Sequence, residues 1–346
     1  MWVRRLAVFA ALLTFVLIVA GGLVTNTDSG LACPDWPLCH GSAVPKMVGG
    51  VAVEHTHRLL ATAAGLCTVG LVAGLLPRRR SILLCGVMLP ALLSGAFAGA
   101  WFQQHGGEFP PWAIFLVVIG FGGFVAVIGQ ERGPSRLAAL ALALVVAQGL
   151  LGGLTVIYRL PPVVLVLHTA TSMLFLVSLV ALAWRLSGRP AAPSAMATPL
   201  LFLTAAAVYL QIVLGAAVRH TGAGLVCVDL PYCRGAIWPS GVHPAVHLHM
   251  AHRAFAFVVL GLVAWNAAAA FRAGRVRPLA LAGPALAVLQ IVLGVLAITT
   301  FKDLVPLTAH LLVAALLLAD VVSLAVLAGP SRARVPAEAP ALGAAT

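Results

Sequence analysis

Ten apolar stretches, each near the length needed to cross a bilayer, dominate the chain: about 6–24, 57–76, 81–101, 111–130, 136–157, 163–184, 198–218, 250–270, 278–299 and 305–327. A helix needs roughly 20 residues to span the hydrocarbon core. There the backbone can satisfy its own polar groups only as helices or closed barrels. The pattern predicts an all-α polytopic membrane protein of about ten helices. Charged residues are only 9% of the 346, so a soluble domain is excluded. The net charge of +12 does not point to nucleic acid, because its carriers sit in short turns between apolar runs.

Those turns hold Arg4/Arg5, Arg78–Arg80, Arg132/Arg136, Arg185/Arg189, Arg272/Arg275/Arg277 and Arg332/Arg334, which are 14 of the 21 Lys and Arg residues. All fall on one side of the predicted topology. The positive-inside rule makes that side cytoplasmic, with both termini inside and the cysteine-bearing loops outside. The first span runs into a loop that recurs later, so it reads as a retained helix rather than a signal peptide. The Ala/Pro-rich tail, 329–346, reads as disordered.

The chain repeats itself. "GGLVTNTDSGLACPDWPLCHG" (21–41) resembles "GAAVRHTGAGLVCVDLPYCRG" (215–235), which pairs Cys33 with Cys227 and Cys39 with Cys233 at an offset of 194. "EHTHRLLA" aligns with "HMAHRAFA" and matches His57 to His252 at 195. Further on, "QGLLGGLTVIYRLPPVVLVLHTA" (148–170) resembles "QIVLGVLAITTFKDLVPLTAHLL" (290–312), matching Gln148, Gly152 and His168 to Gln290, Gly294 and His310 at 142. The offset drops by 53 residues between the blocks, the length of two spans and a turn. This predicts an N-terminal four-helix unit (1–185) carrying an inserted transmembrane hairpin at about 78–130, and a C-terminal four-helix unit (198–328). The two would be pseudo-symmetric parallel repeats about an axis along the membrane normal.

Four of the eleven histidines occupy repeated positions: His57, His168, His252 and His310. Each unit brings two imidazoles to similar depth from helices that can face one another. Two such ligands suit the axial positions of a haem iron. Zinc is the weaker reading, since a closed site wants four ligands. The bland reading, a histidine bonded to a neighbouring helix, competes less well for four matched positions, because imidazoles inside bilayers are costly. His40, His55, His105, His220, His243 and His247 read as solvated or interfacial. His249 stands where the first unit has Glu54, three residues before its partner histidine on the same helical face. An acid beside only one of two matched sites implies that one reacts and the other holds a cofactor. The plainer alternative is a carboxylate favoured by a helix N-terminus. Arg58 and Arg253 follow their histidines and are read either as propionate ligands or as interfacial snorkels.

Cys33/Cys39 and Cys227/Cys233 form two Cys-x5-Cys pairs in loops placed outside, where disulfides persist. A local bridge in each loop is favoured, with three connectivities open, and the role is either a staple for a lid or a redox pair. Cys67 and Cys85 read as small packing residues, the abundant glycines as sites of close helix packing, and Asp320 as a buried acid with a proton role or a neighbouring-helix partner.

Together, Glu54-x-x-His57, His252, His168, His310 and the paired loop cysteines resemble the haem A synthase family, in its Cys-containing branch. The resemblance covers nearly all of 5–328 apart from the hairpin. It implies oxidation of the C8 methyl of haem O to a formyl group through a hydroxylated intermediate, for terminal oxidase biogenesis. It further implies substrate haem O at His57 and His168, haem b at His252 and His310, and a catalytic Glu54. Cys33 and Cys39 would matter ahead of Cys227 and Cys233. Haem O synthase, an electron donor and membrane lipid are the implied partners, and a homo-oligomer is compatible with the resemblance. Ten helices instead of eight is the departure. Two other classes compete: a quinol-linked diheme b-type electron-transfer protein, and a membrane thiol oxidoreductase or transporter.

Overall fold

Prolines and basic turns mark where one helix stops and the next begins. In the computed structural model, which describes residues 1–105, 110–188, 198–240, 243–272 and 277–328, ten α-helices follow in order. They are α1 (Trp2–Asn26), α2 (Gly49–Leu75), α3 (Arg78–Gln104), α4 (Pro111–Ile128), α5 (Pro134–Ile157), α6 (Pro162–Arg185), α7 (Thr198–His220), α8 (Pro244–Arg272), α9 (Arg277–Thr299) and α10 (Leu304–Ala328). Pro111, Pro134 and Pro162 open their helices, where a missing N–H is not needed. The tail 329–346, with Arg189, Arg275, Arg332 and Arg334, lies outside the described residues.

Nine of these helices are long and apolar enough to cross a membrane, and the chain is a multi-pass membrane protein. The tenth, α4, is 18 residues long, or about 27 Å at 1.5 Å per residue. It is the shortest of the expected spans. No strand occurs among the described residues.

Helices α1, α2, α5 and α6 close into one four-helix bundle, and α7, α8, α9 and α10 into a second. The bundles meet through α6 on α7, α6 on α10 and α1 on α10. Helix α10 is accordingly lined with buried residues along most of its length, from Val313 to Ala325. Hydrogen bonds across this seam include Trp184 Nε1–H to Ser323 Oγ at 2.7 Å and Tyr209 O–H to the Ala170 carbonyl at 3.3 Å. The α3–α4 hairpin lies outside the first bundle, packed mainly on α5. Its two helices approach closely at Gly120, where a methyl group would stand 2.9 Å from the Val87 carbonyl oxygen. An ion pair between Arg80 and Glu131 at 2.8 Å joins the start of α3 to the turn between α4 and α5.

The repeat extends to backbone conformation. After α5, Arg159 and Leu160 take left-handed dihedrals; after α9, Phe301 and Lys302 do the same, 142 residues on. Both turns close with the same bond, Leu160 N–H to Thr155 O at 2.7 Å and Lys302 N–H to Ala297 O at 2.8 Å. In the cysteine loops His40–Gly41 and Arg234–Gly235 share positive φ, and antiparallel bridges pair Cys39 with Ser42 and Cys233 with Ala236. Equal sequence patterns have produced equal turns in both halves.

Candidate functional site

Each bundle presents two histidines at matched heights. His57 and His252 are the ninth residues of α2 and α8; His168 and His310 are the seventh residues of α6 and α10. Within each bundle the two imidazoles lie within electrostatic reach of each other. All four side chains are half-buried, and in all four Nδ1 is buried with no hydrogen-bond partner. A buried imidazole nitrogen without a partner is unusual among native polar groups.

A glycine on the neighbouring helix faces each ring. A methyl group would stand 3.0 Å from His57 Cε1 if placed on Gly21, and 2.9 Å from His252 Cε1 if placed on Gly215. The corresponding distances are 3.6 Å from Gly152 to His168 and 3.3 Å from Gly294 to His310. Side chains rarely approach within 3.0 Å, so α1 and α7 can press against their histidines only because glycine is there. Two further bonds fix the backbone beneath the rings, from Gln148 Nε2 to the His168 carbonyl at 2.6 Å and from Gln211 Nε2 to the His252 carbonyl at 2.9 Å. By composition alone these glycines read as general helix packing. The signal that marks them is their recurrence in the repeat, Gly21 and Gly215 at the 194 offset of the cysteine loops and Gly152 and Gly294 at the 142 offset of His168 and His310.

This arrangement fits a flat iron macrocycle held between two helices. It supplies paired imidazoles, accessible ring edges and orienting contacts behind each ring. It does not fit zinc, for which a third and fourth ligand would be needed. Among the described residues the only metal-like trio is Cys33, Cys39 and His55, whose ligand atoms lie within 4.8 Å of one another, and both sulfurs there are already in a disulfide.

Above the first pair of histidines the loop 27–48 folds as a lid, bridged by Cys33–Cys39. Buried Glu54 fastens it: Oε2 accepts the Cys33 N–H at 2.8 Å, and Oε1 pairs with Arg58 Nη2 at 2.5 Å. Arg58 donates onward to the carbonyls of Cys33 at 3.1 Å, Asp35 at 2.9 Å and Leu38 at 2.6 Å. The second lid, bridged by Cys227–Cys233, is held the same way. Arg253 donates to the carbonyls of Asp229 at 3.1 Å and Tyr232 at 3.2 Å, and to that of Cys227. Asp35, Asp229 and their partners are equivalent in the repeat. The two arginines therefore clamp the lids. In the first lid, burial works against the Asp35 carboxylate. The N–H groups of Gly41 and His40 at 2.7 and 2.6 Å, with the charge of Arg58, nevertheless hold its pKa below the usual carboxylate value. Asp229 is held low as well, by its own N–H and those of Gly235 and Arg234.

Three differences between the two sites bear on the lids. Glu54 is replaced by His249, whose Nε2 accepts the Arg253 Nε–H at 3.2 Å. His55, buried against the first disulfide instead of solvated as the sequence suggested, is replaced by Met250, which packs on the second. Trp36 is replaced by Leu230. The Trp36 indole lies on Gly153 of α5, where a methyl would stand 2.7 Å from the ring, and near Gly99 of α3 at 3.4 Å. The inserted hairpin thereby touches the lid of the first site. Of the remaining histidines, His40, His105 and His243 are exposed, while His220 and His247 are half-buried. Cys67 and Cys85 are free thiols, half-buried in helices. Asp320 is buried, and neither carboxylate oxygen has a partner.

Known proteins resemble this chain over most of its length. The chain is 28% identical over 287 residues to the heme A synthase of Shouchella clausii (strain KSM-K16), covering 79% of this chain and 78% of that one. It is 27% identical over 317 residues to the heme A synthase of Bacillus cereus (strain G9842), covering 88% and 86%. The heme A synthase of Bacillus licheniformis is 24% identical over 282 residues, covering 79% and 76%. The COX15-CtaA family, described as cytochrome oxidase assembly protein, matches residues 4–49 and 111–322. The unmatched stretch contains Glu54, His57 and α3, so His57 is placed by the internal repeat and by its position opposite Gly21, and Glu54 by its bonds to Cys33 and Arg58. With His168, His252 and His310 inside the matched residues, and most of both bundles with them, the chain belongs to the COX15-CtaA family of cytochrome oxidase assembly proteins.

Proposed function

We propose that this protein is a haem A synthase, which oxidises the C8 methyl of haem O to a formyl group through a hydroxylated intermediate. One observation carries the reading: two equivalent bis-histidine stations, each backed by glycines, of which only one has a buried carboxylate a helical turn away. His57 and His168 would hold and orient substrate haem O. His252 and His310 would hold haem b as the resident cofactor, whose iron would supply the redox chemistry. Glu54, paired with Arg58 within the lid of the substrate station, would stabilise positive charge or carry a proton near the reacting methyl. Arg58, Glu54 and the Cys33–Cys39 bridge hold the lid closed, which keeps water from the substrate edge.

The lids are assigned to the outer face and both termini to the cytoplasm, because the basic turns lie at the opposite ends of the helices from the disulfides. Haem O synthase would deliver the substrate laterally through the membrane, and an external electron donor would reduce the resident haem. A homo-oligomer is compatible with the lipid-facing apolar surface.

The test is chromatography of haems extracted from membranes of a host that makes haem O but not haem A, with and without this chain. Appearance of haem A or its hydroxylated precursor supports the synthase. Accumulation of haem b alone, in proportion to the protein, overturns it in favour of diheme electron transfer.

A further inference from the structure

The two clamp arginines are committed to lid carbonyls, which leaves open what meets the carboxylates of a haem at this depth. Among the other described cations on the disulfide side, Lys46, Arg159, Arg234 and Lys302 are exposed. Arg219, in the last turn of α7, is different: it is half-buried in the seam between the bundles. Its Nη2–H donates to Asn26 Oδ1 at the end of α1, and Asn26 Nδ2 donates to Thr308 Oγ1 of α10 at 2.7 Å. A guanidinium has five N–H donors, and this one spends a single donor on the chain.

Its height is also informative. Arg219 lies one helical turn beyond Gly215, the residue that faces His252, and Thr308 lies two residues before His310. Asn26 lies five residues beyond Gly21, which faces His57. All three are thus on the lid side of the histidine level, where the polar edge of a haem held by those histidines would point. The repeat makes the position asymmetric. The residues equivalent to Arg219 and His220 are Thr25 and Asn26, and Thr25 spends its hydroxyl on the Gly21 carbonyl at 3.2 Å. The first bundle has no cation of its own there. The neighbouring His220 is close enough for its charge to reach His168, across the seam in the first bundle. Exposed Asp28 lies within charge range and partly balances Arg219.

Resting on the haem A synthase reading, we propose that Arg219, positioned by Asn26 and Thr308, is the carboxylate anchor of the substrate station. The second bundle reaches across the seam to bind a propionate of the haem held by His57 and His168. Arginine suits the task because its planar fork meets a carboxylate through two parallel N–H bonds. Anchoring a propionate at the seam fixes rotation of the macrocycle about the iron–histidine axis, and that rotation decides which methyl is presented for oxidation. One bundle's residue thereby sets regiochemistry in the other.

The test is an absorbance titration of the detergent-solubilised full chain, carrying its resident haem, with ferric haem b and with its dimethyl ester. Wild type is expected to bind the diacid about 10-fold or more tightly than the diester, a difference of about 1.4 kcal/mol. In Arg219→Met the diacid should fall to the affinity of the diester, while diester binding stays unchanged. Equal affinity of wild type for both compounds overturns the anchor and needs no variant to be folded. Parallel weakening of both compounds in Arg219→Met also overturns it, since that marks a packing role in the seam. If neither compound binds wild type, the haem reading itself falls and the anchor with it.

Discussion

Glu54 accepts the backbone N–H of Cys33 at 2.8 Å, so the carboxylate one turn before His57 is hydrogen-bonded to the backbone of a cysteine in the lid's disulfide. Tether and charge are carried by one side chain, and two substitutions separate them. Glu54→Gln keeps an acceptor for the Cys33 N–H and loses the ion pair with Arg58. Glu54→Ala loses both and leaves a buried N–H unpaired, a cost of about 1–3 kcal/mol to the closed lid. We expect both variants to keep haem b and lose conversion of haem O, and only Glu54→Ala to make the 27–48 loop sensitive to protease. Retained conversion in Glu54→Gln would reduce the residue to a tether.

The four glycines facing the histidines give a graded prediction. Gly215→Ala and Gly21→Ala place a methyl at 2.9 and 3.0 Å from their imidazoles, Gly294→Ala at 3.3 Å, and Gly152→Ala at an ordinary 3.6 Å. Overpacking of the first two should cost about 1–3 kcal/mol, turning His252 and His57 out of position. The expected result is a shifted optical spectrum of the resident haem in Gly215→Ala, weakened substrate binding in Gly21→Ala, and nearly wild-type behaviour in Gly152→Ala. An unaltered spectrum in Gly215→Ala would remove the orienting role from that contact.

Much of this was legible in the sequence because the chain is duplicated. His57, His168, His252 and His310 stand out once two offsets are found, and the change of offset from 195 to 142 locates the hairpin. The clamps were not legible. Arg58 adjoins a histidine in sequence, yet its partners are carbonyls 20 to 25 residues away in a loop whose path no local pattern specifies. His55 was misread for a related reason. Helical periodicity puts it off the His57 face, but the lid folds back over that side and buries it. Arg219 gave no signal either, since its partners lie in another bundle.

Lid closure should respond to acid through Asp35. Its folded pKa lies below the ordinary value because the N–H groups of Gly41 and His40, together with Arg58, outweigh burial. A group depressed in this way contributes stability above its unfolded pKa of roughly 3.9, and the contribution is lost as pH falls through the lower, folded value. The lid should therefore resist protease from neutral pH down to about 4 and open below it, and Asp35→Asn should weaken it at neutral pH. Opening of the wild-type lid between about pH 5 and 7 would assign control to another group.

Arg58→Lys tests the clamp itself. An ammonium cannot reach three carbonyls and a carboxylate at once, whereas the guanidinium fork does. We expect the first lid to become protease-sensitive, with a loss of about 1.5–3 kcal/mol for bonds to a charged group. Arg253→Lys should do the same to the second lid without affecting the first. Sensitivity of both lids in either variant would indicate one cooperative unit in place of two independent clamps.

The inserted hairpin acquires a role through Trp36. The indole sits on Gly153 of α5, next to Gly152 opposite His168, and the same Cε3 edge meets Gly99 of α3. The hairpin thus supplies one wall for a lid residue over the substrate station, while the second station, with Leu230 in place of Trp36, has no such wall. Because α2 and α5 already pack together, joining them directly by deleting 78–130 should preserve both bundles. The resident haem at His252 and His310 is then expected to keep its spectrum, since α3 and α4 pack mainly on α5 and α2 of the first bundle. Trp36 should lose part of its packing, leaving the first lid looser and haem O conversion reduced. Gly153→Ala, which drives a methyl to 2.7 Å from the indole in the intact chain, should reproduce the loss of conversion without removing a helix. Full conversion by the deletion variant, with Trp36 fluorescence unchanged, would make the hairpin a passenger on α5.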